Sequence, residues 1–291
     1  MLWNTSLSLF DQLMSRITDF GSRPALHEKP ASRHTNTGVE HGQVHLIGCG
    51  PGALDLLTVR AFRLIEQAEV VIYDRLVGDD ILDLIPSSAQ RYYVGKAAGQ
   101  HSVTQARIGE LMVQQAQRGK TVLRLKGGDP AIFARMAEEI DALNAAGIEW
   151  QIVPGITAAS GCASAAGIPL TDRASAHQVR FITATHHASH LEHDWATLAR
   201  TDQTLVFYMG LEALPEISAS LQSHGLPADW PILLIENGTR DNQRNLLSTL
   251  DLVVEQAKEA QFKTPSLIIV GEVTRSAKAN VLALAQSLEA A

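Results

Sequence analysis

From Val44 onward, short apolar runs alternate with longer amphipathic stretches, and this alternation most narrows what the chain can become. Val44–Ile47, Val70–Tyr73, Gln90–Val94, Thr121–Leu125 and Trp150–Val153 are too short for helices and too apolar for loops, so they read as strands. Between them, Asp55–Gln67, Val103–Gln117 and Ala131–Ala145 carry helical spacing. Such alternation builds a mostly parallel sheet with helices on both faces, because a parallel crossover must return along the length of the sheet. Ligands of these sheets gather at the carboxyl ends of the strands.

A second block follows Pro154-Gly155. Its expected strands are Val179–Thr183, Thr204–Tyr208, Ile232–Glu236, Gln243–Ser248 and Ser266–Val270. Helices are expected over Ala158–Ala165, Leu211–Ser223, Leu250–Ala260 and Ser276–Leu288. Leu246–Ser248 is followed almost at once by Leu250, which suggests some antiparallel pairing. The fold class is therefore α/β, with two α/β domains over 43–155 and 156–291. Residues 1–42 read as a flexible extension, since Ser22–Gly42 mixes Pro, His, Ser, Asn and Thr without periodicity. A short helix is expected around Leu7–Phe20.

With 45% hydrophobic and 19% charged residues over 291 positions, the chain can bury a substantial core. A formal net charge of −7 argues against nucleic acid as the main partner, because such binding needs a cationic footprint. A local basic pocket for a small anion is compatible with that total. No apolar run reaches the roughly 18 residues of a membrane-crossing helix. Met1–Phe20 lacks the basic start and cleavage pattern of a secretory leader. Cys49 and Cys162 lie among small residues and read as reduced core thiols, which favours a cytoplasmic location.

Three turns carry the chemical signal. Gly48-Cys49-Gly50-Pro51-Gly52 follows a strand and precedes a helix, where glycines permit a tight turn and close approach of a ligand. With Ala53 it also satisfies the G-x-G-x-x-A form of the dinucleotide fingerprint, and Asp74 ends the next strand. Pro51 works against that reading, since it removes one N–H from a turn that would cradle a pyrophosphate. In Lys126-Gly127-Gly128-Asp129-Pro130, Asp129 reads as a helix N-cap with Pro130 at the first helical position. Capping needs neither glycine, so contact with a nucleoside explains them better. The third run, Val153 to Gly161, opens a helix on small residues; a close ligand or tight helix–sheet packing would each account for it.

Taken in order, GCGPG (48–52), LLT (56–58), YDRLV (73–77), VGK (94–96), KGGDP (126–130), FARMAEE (133–139), PGITAA (154–159), GIPLTDR (167–173), FYMG (207–210) and VGEV (270–273) resemble the tetrapyrrole methylase family. The resemblance runs from about Gln43 to Val281. It implies a homodimer of two-domain α/β chains that binds S-adenosylmethionine in the cleft between the domains and releases S-adenosylhomocysteine. By motif position the methyl donor would touch Pro51, Gly127, Gly128, Asp129, Ile132, Thr157, Ala158, Met209 and Gly238. The implied reaction is methylation of uroporphyrinogen III at C2 and C7, giving precorrin-2 for sirohaem, cobalamin or haem d1, with no metal. Asp74 falls at the proton acceptor's position and Lys96 at the proton donor's. Arg135 is implied in substrate binding and proton handling, with Glu138, Arg173 and Tyr208 on the substrate side. The plainer alternatives are a strand-end carboxylate for Asp74, a solvated loop lysine for Lys96, and an intrahelical ion pair for Arg135 and Glu138.

Some positions depart from the family's usual pattern. Ala53-Leu54 stands where Asp-Pro is common, Ala97 where arginine is common, and Ala134, Met136 and Ala137 where the helix motif has glycines. His186, His187, His190 and His193 include metal-like spacings, but no cysteine completes a site, so a solvated loop is expected. A sibling methylase acting on a later corrinoid, RNA or a protein histidine is one alternative, and the acidic charge weighs against RNA. A nicotinamide-dependent oxidoreductase is another, but it gives KGGDP and PGITAA no purpose. The 291 residues contain no dehydrogenase–chelatase module, so the expected reaction ends at methylation.

Overall fold

The computed structural model describes residues 41–95, 103–185 and 191–277. Strands β1 (Val44–Gly48), β2 (Val70–Tyr73), β3 (Gln90–Tyr93), β4 (Val122–Lys126) and β5 (Trp150–Val153) form a five-stranded sheet in the order β3-β2-β4-β1-β5. Every pairing in it is parallel. Alternate side chains leave opposite faces of a strand, so each face needs its own cover. Helices α1 (Val59–Ile65) and α2 (Asp79–Asp83) place Ala61, Ile65 and Ile81 against Ile47, Val71, Leu123 and Leu125. On the other face, α3 (Gln105–Gln117) and α4 (Met136–Ala145) place Ile108, Met112 and Leu143 against Val44, Leu46, Val70 and Ile72. Each such fully buried aliphatic side chain contributes about 1.5–3 kcal/mol of transfer free energy.

The second sheet contains β6 (Gln178–Thr183), β7 (Gln203–Tyr208), β8 (Pro231–Glu236), β9 (Arg244–Thr249) and β10 (Ser266–Val270), in the order β6-β7-β10-β8-β9. Only β6 and β7 run parallel, so antiparallel pairing extends well beyond the segment where it was expected. Helix α5 (Ala158–Ala166) covers one face through Ala159, Cys162, Ala163 and Ala166. The other face carries α6 (Trp195–Leu198), α7 (Leu214–Ser223) and α8 (Val253–Glu259) over Phe207, Leu234 and Ile268. Cys49 and Cys162 are free and buried, and burial pushes both thiols up to about 12.

Three local expectations change. The helix expected over Asp55–Gln67 divides into a 3-10 turn at Leu54–Leu56 and then α1, because Thr58 Oγ1 accepts from Ala61 N at 3.2 Å and restarts the helix. The helix expected from Ala131 begins only at Met136. Phe133 and Arg135 have φ of 51° and 55°, which no continuous right-handed helix accommodates. The short helices α2 and α6 were not expected at all. The expected helix Leu7–Phe20, and Ser276–Leu288 beyond Ala277, lie outside the described residues.

Candidate active site at the carboxyl end of the parallel sheet

Strands β4, β1 and β5 are neighbours, so their carboxyl ends deliver the three turns side by side. Gly50 N donates to Gly128 O at 3.1 Å, and Gly128 N donates back to Gly50 O at 2.6 Å. A Cβ on Gly48 would lie 2.5 Å from Gly155 N, and one on Gly155 only 2.3 Å from Gly128 O. These glycines are therefore required by backbone packed on backbone. Gly128 differs: its φ is 70°, and a Cβ there would meet only Ala158 N, at 3.7 Å. This leaves an open cradle between the second turn and the start of α5, with Ala158 N its nearest neighbour.

The first turn does not offer a pyrophosphate cradle. Cys49 N donates to Lys126 O at 2.8 Å, Gly50 N is held by Gly128, and Ala53 N donates to Thr239 Oγ1 at 3.0 Å. Pro51 has no N–H and lies against α5, where a Cβ on Gly161 would be 2.4 Å from Pro51 Cγ. Asp129 caps no helix, because the chain after it forms a turn with left-handed residues rather than a first helical turn. Its carboxylate instead accepts from Ala131 N at 2.8 Å and from Gly155 N at 3.0 Å, tying the second turn to the third. The half-buried Ile132 donates its N–H to Asp129 O at 3.1 Å.

Thr157 occupies the N-cap position of α5 and Ala158 its first turn, yet the Thr157 side chain caps nothing. Tyr208, at the end of β7, does it instead: its phenol oxygen accepts from Ala159 N at 3.0 Å and shares a 2.6 Å hydrogen bond with Thr157 Oγ1. Burial raises the phenol's pKa, against the opposing effect of those two bonds. The rings of Phe133 and Phe181 stand edge-on to Tyr208 at 5.1 and 5.9 Å. Met209 follows with φ 57°, is largely exposed, and its Sδ receives Thr185 Oγ1 at 3.7 Å. At Gly238 a Cβ would fall 2.2 Å from Cys162 Sγ, so the loop after β8 presses on α5. That loop also sends Arg240 Nη2 to Leu76 O at 3.0 Å.

Asp74 sits at the end of β2. Its Oδ1 accepts from Leu76 N at 3.0 Å and its Oδ2 from Arg124 Nη2 at 3.0 Å, with the carboxylate about one quarter exposed. Arg124 and Lys126 occupy alternate positions of β4 and are almost fully buried. Glu139 on α4, fully buried, accepts from Arg124 Nε at 3.0 Å and from Lys126 Nζ at 2.7 Å. Burial lowers the Lys126 pKa, the Arg124 charge lowers it further, and Glu139 opposes both. Sequence reasoning missed this buried set. The available signal was two cations two residues apart within a central apolar strand, where ions are almost never buried unless paired.

Arg135 and Glu138 form an exposed two-pronged ion pair, with both distances 2.7 Å. Arg135 lies just before α4 rather than within it. Arg173 is exposed in the 171–177 loop, and no hydrogen bond or ion pair of its side chain reaches the three turns. Lys96, His186, His187 and His190 lie outside the described residues. Among the described residues no group of three or more His, Cys, Asp or Glu could hold a metal ion. Leu76, Phe133, Phe181 and Met209, large apolar residues left exposed, all occur on these same segments.

Residues 43–253 match the family model for Tetrapyrrole (Corrin/Porphyrin) Methylases. The chain belongs to the tetrapyrrole methylase family. It is a methyltransferase, and the family's methyl donor is S-adenosylmethionine. A siroheme synthase of Pseudomonas aeruginosa is 50% identical to the methylase over 256 residues, which is 87% of this chain and 55% of that protein. One from Nitrosomonas europaea is 51% identical over 234 residues, 80% of this chain and 49% of that protein. The methylase thus spans about half the length of the curated relatives it matches. Among solved structures, a uroporphyrin-III C-methyl transferase from Thermus thermophilus complexed with S-adenyl homocysteine superposes with a TM-score of 0.69 at 36% identity, covering 80% of this chain and 99% of that one.

Proposed function

We propose that the methylase transfers methyl groups from S-adenosylmethionine to C2 and C7 of uroporphyrinogen III, giving precorrin-2. The observation that carries this reading is the Asp74 carboxylate, held in fixed orientation at the end of β2 on the same sheet edge as the open glycine cradle. When bound, S-adenosylmethionine supplies an electrophilic methyl carbon. Pro51, Gly127, Gly128, Asp129, Ile132, Thr157, Ala158, Met209 and Gly238 would hold and orient it. The pyrrole carbon forms the new C–C bond as the methyl–sulfur bond breaks with its electron pair to sulfur. The alkylated macrocycle then loses a proton, which Asp74 accepts. Lys96, by its place in VGK, would occupy the position of the family's proton donor. Exposed apolar side chains beside Tyr208 suit the apolar faces of the pyrrole rings, and Arg135, Glu138 and Arg173 suit the polar rim of the macrocycle.

The reading includes a cytoplasmic homodimer with domains over 43–155 and 156–291, acting on a small molecule and neither on nucleic acid nor at a membrane. Its product would feed sirohaem, cobalamin or haem d1 formation. Anaerobic incubation with uroporphyrinogen III and S-adenosylmethionine should yield a dimethylated product heavier by two CH2 units, since each methyl replaces a proton. Asp74→Asn and Arg135→Ala should lose turnover and still bind S-adenosylhomocysteine by calorimetry. No dimethylated product from the wild-type chain would refute the substrate, and full activity in both variants would refute the residue roles.

A further inference from the structure

The buried ions behind Asp74 call for an explanation, because an apolar strand face would have packed without them. Taking Arg124, Lys126 and Glu139 out of water costs several kcal/mol per ion before pairing offsets it. The formal charges of Asp74, Arg124, Glu139 and Lys126 cancel, and only Asp74 reaches the surface. Arg124 holds three partners at once: Asp74 Oδ2 at 3.0 Å, Glu139 Oε1 at 3.0 Å and Leu125 O at 2.6 Å. A planar guanidinium fixed on three sides cannot turn, so the carboxylate it grips is fixed too. Leu76 N secures the other carboxylate oxygen.

We infer that Arg124 is a positioning residue for the reaction, orienting the Asp74 carboxylate, while Glu139, shared with Lys126, locks Arg124 in place. The inference rests on the reading of Asp74 as proton acceptor. The groups that face Asp74 are Arg124 and Lys126 from β4, Glu139 from α4 behind them, and the buried Cys49 after β1, which feels both Asp74 and Arg124.

The test uses the full chain with uroporphyrinogen III and S-adenosylmethionine. Arg124→Met should lower kcat about tenfold or more while the KM for uroporphyrinogen III stays within about twofold, the split expected when a reacting group is misplaced and binding is intact. Affinity for S-adenosylhomocysteine should stay within about twofold, because the cradle is untouched. Arg124→Lys, which keeps the charge but cannot reach three partners, covers the case in which the methionine variant fails to fold; it should lower kcat about tenfold or more. Placed on Asp74→Asn, either Arg124 variant should cost no further turnover. Additive losses, or a raised KM with kcat unchanged, would show Arg124 to be structural only and overturn the inference. Full turnover in Asp74→Asn alone would instead overturn the reading on which it rests.

Discussion

At the scale of single residues, the site is held by polar groups whose removal has different costs. Glu139 is fully buried between two cations, so Glu139→Ala leaves the buried Lys126 without its carboxylate and Arg124 with Asp74 alone, and should destabilise the fold by about 3–5 kcal/mol. Urea unfolding monitored by circular dichroism measures this directly, and a loss below about 1 kcal/mol would mean that water reaches the cluster. Tyr208 is a milder case. Tyr208→Phe removes the oxygen that caps α5 and should cost about 1 kcal/mol, the usual worth of a helix cap. It should also alter the alkaline response. The Tyr208 pKa is raised in the folded state, so the stability it provides is intact below the unfolded value of 10.0 and is lost as pH rises through the higher folded value. Melting temperatures of wild type and Tyr208→Phe should therefore converge above pH 10; an unchanging gap would place the phenol's ionisation outside the folding equilibrium.

At the scale of elements, the strands of the parallel sheet were legible because each is a short apolar run between helical stretches, and the positions found differ by a residue or so. The start of α4 was not. KGGDP has the composition of a capped helix start, yet the chain turns twice through left-handed backbone at Phe133 and Arg135 before α4 begins. Nothing in residue type announces that, since both prefer right-handed backbone. The same geometry accommodates Ala134, Met136 and Ala137, since none of the three has a positive φ. The glycine turns were legible as a site, but the reason for most of their glycines was not, because stacking of Gly48, Gly128 and Gly155 joins segments far apart in sequence. The left-handed Arg135 leads to a sharp expectation. Arg135→Gly relieves about 1 kcal/mol of backbone strain, and the exposed pair it loses contributes little. It should raise the melting temperature by about 2–4 °C while abolishing turnover. A lower melting temperature, by differential scanning calorimetry, would show that the ion pair outweighs the strain.

At the scale of the molecule, the parallel sheet provides the turns and Asp74, while the second sheet closes on them through one loop. Within residues 237–240, Asn237 and Thr239 have φ of 50° and 67°, and that strained shape lets three neighbours reach different targets. Gly238 presses on Cys162, Thr239 Oγ1 accepts from Ala53 N, and Arg240 crosses Gly52 to reach the Leu76 carbonyl. Leu76 is also the residue whose N–H holds Asp74, so a loop of the second sheet steadies the carboxylate from a distance. Arg240→Met isolates that effect. The methionine stem keeps the contact over Gly52, and the change removes a buried Nε that has no partner, so global stability should change by less than about 1 kcal/mol. Leu76 would lose its carbonyl partner, and hydrogen exchange over residues 74–78 should accelerate while exchange in β1 and β4 stays slow. Turnover should fall by as much as about a hundredfold, the scale of loss expected when a reacting group drifts by an ångström. Faster exchange throughout the parallel sheet, or turnover unchanged despite a loosened 74–78 segment, would each show that the second sheet does not steady Asp74.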